Sequence, residues 1–211
     1  MVHNFDHGTK GTSSSCEIIQ RYDDRNIIII HCRNKVFISY SGIEGKYDMH
    51  VLDLPEPTPT DGSTIRFGGS STYQEGKNLY LVASRTRVFL NETRIRRINI
   101  YKMNSNWTDF DRGSDPVVSD PVVSWLWDNF ESPMVTKMGK WYYIFASKTH
   151  GWKHSRTYYR LASSLEGLAY ANTSEVVMHP ANTHKIKSMG TQFCFFQKFA
   201  KGKWMFGGRR K

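Results

Sequence analysis

Apolar and polar residues alternate along this chain in short runs, and no long stretch shows helical spacing. Two of the runs are near copies. "YQEGKNLYLVAS" (73–84) and "TKMGKWYYIFAS" (136–147) both read Gly-Lys, one or two residues, tyrosine, two apolar residues and Ala-Ser. "FAKGKWMFGG" (199–208) is a weaker third copy, and "CRNKVFISYSG" (32–42) a fourth with Asn34-Lys35 in place of Gly-Lys. Gly and Asn accept the positive φ that a tight hairpin demands, and the aromatic and β-branched residues that follow suit a pleated strand. Short apolar stretches such as Met134-Val135 and Phe195-Phe196 precede the turns. Strand-like pieces follow them, "RRINIYKM" (96–103) and "RTYYRLAS" (156–163), the second leading into "SLEGLAY" with Gly167 as a turn.

The Gly-Lys pairs begin at 76, 139 and 202, so both intervals are 63 residues. A recurring unit of about four short strands predicts an all-β propeller whose blades pack face to face. The alternative is a β-sandwich in which two similar hairpins recur by chance. A chain of 211 residues holds little more than three such units, and a closed propeller has at least about four blades. The expected fold is therefore an incomplete propeller of about three to four blades. Residues 1–60 match the repeat poorly and form an N-terminal blade region; residues 61–211 carry the remaining blades.

Composition fits this. Hydrophobic residues are 39%, charged 23% and aromatic 14%, which is a globular chain rich in the flat rings that fill β cores or stack on ligands. "NIIIIHC" is the longest apolar run and is far too short to span a membrane, so no membrane partner is expected. "MVHNFDHGTKGTSSSC" has no apolar leader, so no signal peptide is expected in the sequence as it stands. The formal net charge of +10 favours acidic partners, with the densest cluster at Arg85, Arg87, Arg94, Arg96 and Arg97. Cys16, Cys32 and Cys194 allow one disulfide and one thiol. Zinc-type spacings and acidic clusters are missing, so neither a metal nor a cofactor is expected. Asn91, Asn106 and Asn172 head N-x-[ST] triplets.

The segment "ESPMVTKMGKWYYIFASKTHGW" resembles the acid-bearing segment of glycoside hydrolase family 43, in its exo-β-1,3-galactanase branch. In that branch a Glu, a small residue and Pro open a blade, followed by a "GKYYL" hairpin strand and a "TGW" loop. Further likenesses follow in order. "SSLEGLAY" is similar to the family's "S-x-S-[IL]-x-G-P-W" turn, with Leu168-Ala169-Tyr170 where Pro-Trp is expected. "SMGTQFCFF" is similar to its glutamine-bearing strand, and "MFGGRR" to "YMGDRW", with Gly208 for the Asp and Arg210 for the Trp. "SSTYQEGKNLYLVAS" is similar to an upstream strand, but Ser70 or Ser71 stands where that strand has an acid. The likeness covers about residues 64–209. It implies a five-bladed propeller, here lacking about a blade and a half, and a secreted, extracellular protein.

The resemblance implies Glu131 as the general acid that protonates the leaving oxygen of a glycosidic bond. It implies Gln192 as an amide orienting the attacking water, in a branch that lacks the usual aspartate base. Thr149 and His150 fall in the sugar-contacting loop, and Trp152 can stack on a sugar face or pack between blades. Trp125, Trp127 and Phe130 are expected to wall the carboxyl, and Pro133 to hold Ser132 extended. Trp141 and Trp204 are expected in the core. A structural alternative makes Glu131 a surface residue paired with a lysine such as Lys137. The family's other acids have no counterpart, and Asp61, Glu75, Asp120 and Asp128 are equivalent on sequence grounds.

Three readings result. The first is an enzyme, a glycoside hydrolase cleaving β-galactan or a related plant cell-wall glycan, with an oligo- or polysaccharide as partner. The second is a catalytically inactive propeller (a pseudoenzyme) that binds glycan or protein. The third is a basic binder of nucleic acid or sulfated glycan. No RNP-like, zinc-finger or Gly-rich phosphate signature accompanies the charge, so nucleic acid is not the expected partner. The oligomeric state has no sequence signal.

Overall fold

The computed structural model describes residues 16–21, 23–32, 35–52, 59–113, 121–148, 155–176 and 192–209. Strands β1 (Cys16–Gln20), β2 (Ile28–Cys32), β3 (Lys35–Ser39) and β4 (Asp48–Val51) form one antiparallel sheet. The second sheet is β5 (Thr64–Glu75), β6 (Asn78–Val88), β7 (Arg94–Lys102) and β8 (Val123–Leu126). The third is β9 (Phe130–Met138), β10 (Trp141–Lys148), β11 (Thr157–Ala162) and β12 (Ser174–Glu175). A fourth unit is the hairpin β13 (Gln192–Ala200) and β14 (Lys203–Arg209). Within each sheet the strands lie in chain order, up and down. Among the described residues the helical content is one 3₁₀ turn at Glu166–Ala169.

The repeated Gly-Lys pairs make the turns. Gly76 (φ +57°) and Gly139 (φ +62°) each occupy the first central position of a two-residue hairpin, with lysine second. That is the place where a type II′ turn requires positive φ. The third copy differs. Ala200 pairs with Lys203, so Lys201 and Gly202 are central and Gly202 (φ +69°) comes second. A bulge between Lys198 and Ala200 takes up the one-residue offset. Of the fourth copy's Asn34-Lys35 pair, Asn34 lies outside the described residues and Lys35 opens β3 rather than a turn. In the first sheet the register sets Cys16 opposite Cys32.

The second sheet is apolar on both faces because strand residues alternate sides. Leu79, Leu81, Tyr101 and Met103 pack with Ile29, Val36, Ile38 and Leu52 of the first-sheet region, capped by Trp107 and Phe110. Val82, Ile98, Ile100, Trp125 and Trp127 pack with Val135, Ile144, Ala146, Leu165 and Leu168 of the third-sheet region. The sheets therefore stack as blades. Their first strands meet: β5 lies beside β9, and β9 beside β13. The architecture is all-β, an incomplete propeller. Trp141 does not join the core as expected. It follows the turn directly, is 40% exposed, and carries the Lys140 ammonium 5.3 Å over its ring.

His31 on β2 is 3% exposed, and burial pushes its pKa down from 6.5 to about 4. The folded chain thus binds that proton less readily than the unfolded chain. Stability is lost as pH falls from the unfolded value towards the folded one, to a total of about 3 kcal/mol for this group. Urea unfolding at pH 7 and pH 4 should show an acid loss in the wild type that exceeds that of His31→Leu by roughly this amount. An equal loss in the two proteins would show that His31 ionises freely.

Candidate active site

β5 and β9 run the same way, since Gly69 lies against Ser132 and Glu75 against Lys137. Up-and-down order then collects the starts of β5, β7 and β9 and the ends of β6, β8 and β10 at one end of these sheets. Glu131 is the second residue of β9 and is partly exposed there. Lys148 closes β10 at the same end; Thr149, His150 and Trp152, which follow it in the chain, lie outside the described residues. Gln192 is the first residue of β13, whose backbone packs against β9 and β10. In a propeller the first strands of successive blades run the same way about the axis. That puts the Gln192 backbone at the Glu131 end; its side chain is outside the described set.

A bulge sets the local geometry of Glu131. Glu131 pairs with Ser147 and Met134 with Phe145, so Ser132 and Pro133 together face the single residue Ala146. Ser132 adopts φ +53°. The expectation of an extended Ser132 before proline is thereby corrected: the extra residue of the bulge turns the chain into the left-handed region. Its neighbour on the adjoining blade is Gly69, where an added Cβ would lie 3.0 Å from the Ser132 nitrogen. Gly68-Gly69 is itself a bulge, facing Ser84 alone. In β13 the pairs Phe193 with Gly208 and Phe195 with Gly207 leave Cys194 as an extra residue. The first strand of three successive units is thus kinked at a corresponding point before its turn. Bulges of this kind end regular pairing and re-aim the neighbouring side chain.

Register also decides what surrounds Glu131. Cross-strand partners share a face, so Glu131 lies on the side of Ser147 and Phe145. There Tyr143, Phe145 and Tyr159 form a ladder with ring centroids 6.0–6.2 Å apart, and Ser147 and Thr157 are fully buried. Trp125, Trp127 and Phe130 instead pack with the core between the second and third sheets, Phe130 stacking on Trp127 at 4.5 Å. The expected aromatic wall is therefore corrected. Those rings fill the opposite face, with the Arg160 guanidinium 5.0 Å above Trp127.

Lys137 is not the partner of Glu131. It donates to Glu75 at 2.5 Å and to the Tyr142 hydroxyl at 2.9 Å, and Tyr142 in turn donates to Glu75 at 2.8 Å. Burial opposes ionisation of Glu75, yet these bonds hold its carboxyl below the ordinary range. The same bond to Glu75 raises the Lys137 ammonium. This clasp sits six residues along β9 from Glu131, about 20 Å away at the usual strand rise.

The other acids are also engaged. Asp61 binds Arg87 at 2.8 Å, and Asp128 accepts the Arg96 backbone N–H at 3.4 Å. Asp120 lies outside the described residues. Of the two serines at the upstream acid position, Ser71 is 4% exposed and its hydroxyl has no hydrogen-bond partner among the described residues. Gly208 pairs by backbone with Phe193. Among the described residues no group of three or more His, Cys, Asp or Glu could hold a metal ion. Sequence reasoning saw the arginine cluster but not its location. Arg96 reaches the carbonyl of Phe130, the residue before Glu131, at 3.4 Å and Thr86 Oγ1 at 3.1 Å.

Comparison of this arrangement with solved structures decides the fold. An exo-β-1,3-galactanase from Phanerochaete chrysosporium, seen as a Glu-to-Ala variant with β-1,3-galactotriose, superposes with a TM-score of 0.56 at 18% identity, over 88% of this chain and 40% of that one. The same enzyme with galactose gives 0.52 at 17% identity over the same shares. The fold is a glycoside hydrolase family 43-type propeller. The chain spans about 40% of the length of that enzyme. No family model matches the sequence. No curated protein matches it either. The described sheets of this family 43-type fold are three of four strands and one hairpin, fewer than five blades.

The bulge can be tested directly. An L-residue in the left-handed region costs about 1–2 kcal/mol. Ser132→Gly should therefore raise unfolding free energy by up to about 1 kcal/mol, and Ser132→Val should lower it by about 1–2 kcal/mol. Chemical denaturation of the two variants reads this. A destabilising glycine would show that Ser132 is not held at positive φ.

Proposed function

We propose that this chain is a glycoside hydrolase acting on β-galactan or a related plant cell-wall glycan outside the cell. Glu131 is its general acid and Gln192 orients water; Thr149, His150 and Trp152 contact the sugar. The reading is carried by one observation: Glu131 stands at the bulged start of a first strand, at the end where the strand of Gln192 begins. The ordered motif likeness and the shared fold support it. In this mechanism the Glu131 carboxyl gives its proton to the glycosidic oxygen as the bond to the anomeric carbon breaks. Water attacks the opposite side of that carbon and releases its proton to solvent, because an amide orients water but does not take its proton.

A second reading has its own support. The positions matched to the family's other acids hold Ser70 or Ser71 and Gly208, and a lone acid leaves much of the catalytic assistance missing. On that reading the propeller binds glycan, or a protein, without turnover.

Release of reducing sugar from β-1,3-galactan separates the two. Glu131→Gln should lower kcat by about 10²–10⁴-fold with little change in KM, as loss of a general acid does. Equal rates in the two proteins would remove Glu131 from the mechanism. Binding without turnover, unchanged in Glu131→Gln, would establish the second reading.

A further inference from the structure

The two ends of the second and third sheets carry different cations. At the Glu131 end stand Arg66, Arg87, Arg94, Arg96, Arg97 and Arg156; at the opposite end stand Lys77, Lys102, Lys137 and Lys140. Lys148 and Arg112 break this division, and Arg85 and Arg160 lie further along their strands. The difference has chemical meaning. A guanidinium offers a planar fork that grips carboxylate or sulfate with two parallel bonds, whereas an ammonium is a strongly hydrated point charge.

Register sorts the arginines further. Arg66 pairs with Thr86, and Thr86 with Arg96; Val88 pairs with Arg94. Arg66, Arg94 and Arg96 therefore share one face. It is the face of Val82 and Ile98, the one packed towards the third sheet, whose far face carries Glu131 at the same end. Arg94 lies two residues, about 7 Å, from Arg96 along β7, and Arg66 lies across one strand, about 10 Å away. Arg96 is fixed by Thr86 and by the Phe130 carbonyl beside Glu131. Arg66 and Arg94 are exposed and make no ion pair among the described residues, unlike Arg87 with Asp61 and Arg156 with Glu175. Among the described residues these two guanidinium groups have no carboxylate partner, which suits them to an anionic ligand at this end.

We propose that the open end selects an anionic glycan, with Arg66 and Arg94 gripping an oxyanion group on the sugar chain while the chain runs past Glu131. This deepens, and rests on, the glycosidase reading of the same site. The shared chemistry is a singly charged oxyanion, either a uronate carboxylate or a sulfate ester.

Calorimetric titration of the full chain tests it with three probes: neutral β-1,3-galactotriose, the same trisaccharide bearing one uronate, and the same bearing one sulfate. Released reducing sugar is read in parallel. At least one charged probe should bind about tenfold tighter than the neutral one, the scale of a charge-assisted pair. The gap should close in Arg66→Gln/Arg94→Gln, shrink in high salt, and persist in Lys77→Gln/Lys140→Gln. The charged arm that shows the gap identifies the group. Equal affinity for neutral and charged probes would overturn the anionic preference and leave the glycosidase reading intact. A gap that survives the arginine substitutions would overturn the assignment to Arg66 and Arg94. Tighter binding of a DNA duplex, with the same arginine dependence, would overturn it in favour of nucleic acid. Failure to bind or cleave any of the three sugars would remove both readings.

Discussion

Away from its arginine-bearing end the second sheet is apolar on both faces, and the rest of the fold follows from that. Leu81 and Tyr101 on one side and Val82, Ile98 and Ile100 on the other are fully buried. Each such side chain is worth about 1.5–3 kcal/mol when removed from water. A sheet apolar on both sides needs a neighbour on both sides, and the first and third sheets supply them. Stacked this way, first strands lie against first strands. Gly69 then meets Ser132, Glu75 meets Lys137, and Glu131 is carried to a shared end.

The two ends of the stack do different work. At the turn end, Glu75, Lys137 and Tyr142 tie the second sheet to the third through hydrogen bonds that keep the carboxylate charged. At the other end the first strands kink, loops depart, and Arg66 and Arg94 have no ion-pair partner among the described residues. Rigidity at one end and irregular backbone at the other is a common division in β proteins, where loops carry the chemistry and the sheets hold it in place. The bulges are the joint between the two regimes: they stop regular pairing where Glu131 is presented.

Much of the architecture could be read from the sequence because repetition and alternation are local signals. The 63-residue interval gave the hairpins their places, and Gly76 and Gly139 take the positive φ assigned to them. The third hairpin slipped by one residue because Gly202 occupies the second turn position, which only pairing reveals. Ser132 misled for a similar reason. Proline argues for an extended predecessor, but an extra residue in the strand overrides that preference. The aromatic wall was misjudged because neighbours in sequence alternate in space. Trp125 and Trp127 lie close to Glu131 along the chain and on the other side of the sheet. The arginines were visible as a cluster, yet their proximity to the start of β9 depends on strand directions that no single segment encodes.

The proposal beneath all of this is that the kinked first strands bring residues 131 and 192 to one end, where both face the same sugar. The most direct measurement is a crystal structure of the Glu131→Gln protein soaked with β-1,3-galactotriose. The account predicts a sugar seated at that end, between the two residues. Its glycosidic oxygen should lie within hydrogen-bond distance, about 3 Å, of the residue-131 amide, with the Gln192 side chain on the far side of the anomeric carbon. A sugar bound at the turn end, or residues 131 and 192 facing away from each other, would contradict it.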